Sequence, residues 1–130
     1  MGVICIANSF PKNIHRWRQW LRIHFAEIGR EHGPFQLAIL ENGQYNKSWK
    51  HIHLMPGEIY QAAKDLRAER ILPVHSSKFK LSNHAWYEPL NNVWQQHQEH
   101  GASLLTPMIG ELVHLNDPQQ PFTPWWQGIH

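Results

Sequence analysis

The chain has 130 residues, 42% hydrophobic and 17% charged, with a formal net charge of +2 and 11 histidines. This is the size and make-up of one soluble domain with a single core, and so small a charge gives little long-range steering and no reason to expect a nucleic-acid partner. One cysteine, Cys5, rules out an intrachain disulfide framework, residues 1–7 are too short for a secretory signal core, and no apolar run is long enough to span a bilayer, so the cytoplasm is the expected location.

In chain order, residues 24–32 (HFAEIGREH) carry apolar Phe25 and Ile28 before Gly33-Pro34 and predict a short helix. Residues 35–40 (FQLAIL) predict a strand, and residues 42–55 an irregular loop with aromatics. Pro56-Gly57-Glu58 opens a helix to about Ala68, because proline suits a first helical turn and glutamate its positive end. Residues 71–74 (ILPV) form a short, apolar, branched run that reads as a buried strand. A further helix starts at Glu88-Pro89, with Leu90, Val93 and Trp94 at helical spacing, and ends by Gly101. Residues 103–106 and 111–115 are strand candidates, and residues 118–124 are proline-rich and extended. Strands alternating with crossover helices imply an α/β fold with a parallel or mixed sheet.

The second predicted strand delivers His75 at its C-terminal end, the end where open α/β sheets bind ligands. Imidazole ligates metals readily, although a lone histidine at a strand end is more often a hydrogen-bonded structural residue. Glu41 follows the first predicted strand at the same rim and is expected to be a turn carboxylate. His51 and His53 stand two apart beside Trp49 and Met55, where a surface or packing role is expected. Lys12, Arg16, Arg18 and Arg22 interleave with Trp17 and Trp20, a pattern able to bind single-stranded nucleic acid but more often a solvated face.

Several motifs, in order, resemble one family: GQYNKSWKHIHLMPGE (residues 43–58), AAKDL (62–66), PVHSSKF (73–79), NHAWYEP (83–89) and LLTPMIGE (104–111). The chain resembles the metallo-β-lactamase superfamily, in the branch similar to N-acylphosphatidylethanolamine-hydrolysing phospholipase D. The resemblance implies the C-terminal half of an αββα sandwich, over residues 23–130, in which His75 is the last ligand of a two-metal site. It further implies that Gly43 lets the backbone approach the site, and that Tyr45, His53 and His84 line the substrate pocket. Intact relatives would use a divalent metal, zinc or manganese, on phosphodiester, ester or lactone substrates.

The family's HxHxDH motif and its GDSGY-like aspartate loop do not occur in this chain. Residues 12–22 (KNIHRWRQWLR) can be back-translated with permitted codons that, read one nucleotide later, give Lys-Ile-Phe-Ile-Gly-Gly-Asp-Ser-Gly-Tyr, so residues 1–22 are expected to be out of the family frame. Metal binding by the isolated chain is accordingly expected to be weak or absent, with activity requiring a complementing N-terminal half. A half-sandwich also predicts a homo-oligomer with residues 1–22 packed at the interface, that segment being apolar enough to cover the open sheet face in its own chain or in a second one.

Overall fold

The structure, a computed structural model, describes residues 2–6, 17–49, 53–80, 82–100 and 102–129; side chains of 3–6, 17–22 and 49 are outside that description. Four strands, β1 (Gly2–Ile6), β2 (Phe35–Glu41), β3 (Arg70–Val74) and β4 (Ser103–Leu104), form one sheet in the order β1-β2-β3-β4, and every pairing is parallel. Each connection between neighbours carries an α-helix: α1 (Trp17–His32), α2 (Glu58–Asp65) and α3 (Glu88–His97). Parallel neighbours joined by right-handed crossovers in sequential order must receive all their helices on one face. The core confirms it, since Phe25 of α1, Ile59 of α2 and Val93 of α3 share a cluster with Ala38, Leu40, Ile71 and Leu104 of the sheet. Each such buried Phe, Ile, Leu or Val side chain contributes about 1.5–3 kcal/mol.

The α2 start follows the expected chemistry. Gly57 adopts φ 89°, Glu58 N–H donates to the Met55 carbonyl at 3.0 Å, and the Glu58 carboxylate accepts Met55 N–H at 2.8 Å. The helix stops at Asp65, earlier than expected. Arg67 takes φ 57°, and Ala68 N–H reaches back to the Ala63 carbonyl at 2.9 Å, which closes the helix end. Where α1 crosses this end the backbones nearly touch: a Cβ on Gly29 would lie 2.0 Å from the Asp65 carbonyl oxygen.

Three expectations are corrected. The helix predicted over residues 24–32 extends back to Trp17. The strand predicted over 103–106 shortens to Ser103–Leu104, with one further ladder bond from Leu105 N–H to the Ile71 carbonyl at 2.8 Å. Residues 111–115 form no strand, and among the described residues none pairs with them: Leu112 is 73% exposed, and a turn closes from Glu111 N–H to the Met108 carbonyl. Buried Arg70 holds this segment instead, its guanidinium donating to the carbonyls of Gln36 (3.2 Å), Leu115 (2.6 Å) and Asp117 (3.5 Å). Farther on, Trp126 is buried and donates its indole N–H to Asn91 of α3 at 2.8 Å.

The N-terminal strand takes an edge of the sheet, its backbone paired to β2 from Val3 opposite Leu37 to Ile6 opposite Leu40. The basic-aromatic pattern expected over residues 12–22 falls outside the described side chains.

Gly29→Ala is expected to destabilise the fold by about 1–3 kcal/mol, since neither backbone can give way freely; urea unfolding followed by far-UV circular dichroism measures it.

Candidate metal and substrate site

Register builds the site. β2 and β3 run parallel with Glu41 opposite Val74, so the next residues, 42–45 on one side and 75–77 on the other, leave the sheet together at its C-terminal rim. Asn42 N–H still donates to the Val74 carbonyl at 2.9 Å, extending the ladder by one step. Gly43 then passes so close to His75 that an added Cβ would meet its carbonyl oxygen at 1.6 Å, and Gln44 Nε2 donates to that same oxygen at 3.3 Å. Only glycine fits there. His75 itself sits at φ 67°, a left-handed conformation that costs a non-glycine residue on the order of 1–2 kcal/mol and is held here by these neighbours.

Glu41, expected to be a turn carboxylate, is the buried last residue of β2. Its Oε1 accepts from His53 Nδ1 at 2.9 Å and its Oε2 from Leu54 N–H at 2.8 Å, with Gly43 N–H at 3.5 Å from Oε1. His53 is partly buried, its side chain 16% exposed, and its ring stacks with that of His75 at 5.6 Å and 19°. One donor atom each from Glu41, His53 and His75 lie within 4.8 Å of one another. Two imidazoles and a carboxylate are the ligand chemistry of zinc-class ions, so the residues fit such a group. Sequence reasoning missed Glu41's part; the only signal was a carboxylate at a strand's C-terminal end facing the same rim as a histidine.

The other two expected pocket residues, Tyr45 after β2 and His84 between β3 and α3, form a second group where these two loops meet. Tyr45 is buried, donates its hydroxyl to Glu88 of α3 at 2.7 Å, accepts from Asn92 Nδ2 at 2.8 Å, and stacks on His84 at 4.3 Å between centroids. Ser82 Oγ donates to the Tyr45 carbonyl at 2.7 Å. Burial first, and then the adjacent Glu88 carboxylate, push the Tyr45 hydroxyl well above the ordinary tyrosine value of 10.0. His84 Nδ1 lies 3.0 Å from the Ala85 carbonyl, and its Nε2 is buried with no hydrogen-bond partner. His51 lies outside the described residues. On the far side of His75 a cleft of about 500 Å³ runs between Leu90, Leu105, Ile109 and Trp125, with Lys78 at its wall.

A sequence model described as the beta-lactamase superfamily domain matches residues 21–76, from α1 to the residue after His75. This match, together with the relatives below, supports membership of the metallo-β-lactamase superfamily. The chain's parallel sheet with helices packed on it is the α/β arrangement of that fold. The chain is 47% identical over 81 residues to "Outer membrane protein RomA" of Klebsiella pneumoniae, covering 62% of this chain and 61% of that one. An uncharacterized protein of Mycobacterium tuberculosis is 34% identical over 108 residues, 79% of this chain and 28% of its own. "N-acyl-phosphatidylethanolamine-hydrolyzing phospholipase D 1" of Caenorhabditis elegans is 26% identical over 102 residues, 73% of this chain and 29% of its own. The chain therefore spans less than two thirds of the length of these relatives. Among the described residues no helix is long and apolar enough to cross a membrane.

Tyr45→Phe is expected to cost about 1–3 kcal/mol, because it leaves the Glu88 carboxylate and the Asn92 amide without their shared partner. The native state holds the Tyr45 proton more tightly than the unfolded chain, so this stabilisation is complete below pH 10.0 and declines as pH rises past it. Stability of the parent should fall more steeply above that pH than stability of Tyr45→Phe; denaturant midpoints at pH 8 and about 10.5 compare them.

Proposed function

We propose that this chain carries the C-terminal, metal-ligating part of a metal-dependent hydrolase acting on ester-type bonds, with phosphodiesters, esters and lactones as the substrate class. The carrying observation is the seating of His75: a strained backbone at the C-terminal rim of a parallel sheet, locked between Gly43 and Gln44, with a histidine and a buried carboxylate beside it. A bound pair of divalent ions, zinc or manganese in the intact relatives, would activate a water and stabilise the leaving oxygen. The residues of this chain do the rest. His75 holds one imidazole at the rim, Glu41 fixes the orientation of the His53 ring through Nδ1, and Gly43 keeps the rim free of side-chain bulk. The cleft between Leu90, Leu105 and Trp125 offers an apolar wall next to His75, suited to the hydrocarbon part of a substrate. The name of the nematode relative points the same way, to a lipid phosphodiester.

In this reading residues 1–22 stand outside the family's pattern; the family match begins at residue 21, within two residues of that boundary. The aspartate loop and HxHxDH ligands would then come from a complementing N-terminal half.

The isolated chain, assayed with zinc or manganese against a bis(nitrophenyl) phosphate, a lactone and N-acyl-phosphatidylethanolamine, should show no appreciable turnover beside an intact relative. Metal-dependent turnover by the chain alone that disappears in His75→Ala would overturn the need for a second half. Failure to gain any turnover when the chain is combined with a relative's N-terminal half would count against the hydrolase reading.

A further inference from the structure

We infer that this chain by itself holds one zinc-class ion on Glu41, His53 and His75. The site deepens the hydrolase reading and rests on it only through His75, because Glu41 and His53 are not among the ligands that the family resemblance implies. It turns a single surviving ligand into a set of three.

The three donors come from two rim segments that the sheet forces together. Glu41 ends β2, His75 follows β3, and His53 returns from the loop after β2 to meet both. Their donor atoms span at most 4.8 Å. An ion with bonds of about 2.1 Å in tetrahedral geometry wants its donors roughly 3.4 Å apart, so the set must close by little more than an ångström. His75 is the group able to close it: its backbone is pinned at the carbonyl, while its side chain lies on the exposed surface. Glu41 has the capacity. A carboxylate offers about four lone-pair directions, and the bonds from His53 and Leu54 leave room for another partner. His53 Nδ1 already faces the Glu41 carboxylate at 2.9 Å, and an ion held between these two atoms would take the place of the proton they share.

Two imidazoles and one carboxylate select zinc or cobalt over magnesium or calcium, which prefer all-oxygen shells. With three protein donors the ion would keep an open position, and the 500 Å³ cleft borders the same histidine.

The test is titration of the full chain with zinc chloride by calorimetry and with cobalt(II) by visible absorption. One ion per chain is expected, in the micromolar range, with the intense cobalt band of a four-coordinate site. His53→Ala and His75→Ala should each weaken binding at least tenfold, Glu41→Gln should weaken it too, and His114→Ala, a distant exposed histidine, should leave it unchanged. Circular dichroism checks that each variant folds; if the buried Glu41→Gln does not, the two histidine variants decide. No saturable binding at millimolar metal, or parent affinity in His53→Ala, would overturn the site. An ion bound as described in a chain that never gains turnover with an N-terminal half would instead sink the hydrolase reading alone. Metal-dependent turnover of the combined halves, with no ion bound by this chain alone, would sink only the site.

Discussion

The pairing of β2 with β3 is the constraint on which the rim depends. Parallel strands in direct register end together, and the loops they lead into must leave the sheet side by side. Here that geometry is tightened until one backbone rests on the other at Gly43 and His75. The carbonyl of His75 accepts from Gln44 and the carbonyl of Val74 accepts from Asn42, so the second loop is stitched to the first before any side chain is considered. The ring of His75 inherits its position from that stitching, and Glu41 and His53 are within reach only because of it.

A chain with so few long elements needs its loops to be held by something other than the sheet. Tyr45 and Arg70 do this in different ways. Tyr45 fastens the loop after β2 to α3 by placing one hydroxyl between Glu88 and Asn92, and the stacked His84 closes its ring face. Arg70 buries a guanidinium against three main-chain carbonyls, which is far less costly than an unpaired buried charge because every bond is charge-assisted. Both anchors are polar, and both lie where the hydrophobic cluster does not reach.

Much of this was legible from the residues. The runs FQLAIL and ILPV gave strands because apolar, branched segments bounded by breakers have few other uses, and Pro56-Gly57-Glu58 and Glu88-Pro89 opened helices where expected. The α/β class and the rim position of His75 follow from those elements alone. Less was legible where tertiary context overrides local pattern. Residues 111–115 have a strand-like composition but no neighbour to pair with, and α1 begins within a stretch whose basic and aromatic residues carry no clear helical signal. The partnership of Glu41 with His53 crosses a loop of irregular conformation, and no periodicity encodes a contact of that kind.

Arg70 has one more effect, on how the chain can vary. Residues 107–114 are fastened at one end by the Leu105 ladder bond to Ile71 and at the other by the Leu115 carbonyl on Arg70, while Ile109 and Leu112 between them are largely exposed. A span whose two ends are separately moored can change length without moving either mooring, and loops of that sort tolerate insertion at small entropic cost. Ile109 also forms one wall of the cleft beside His75. The fold thus leaves the stretch that borders its cleft free to diverge, while the strands that seat the histidine stay fixed.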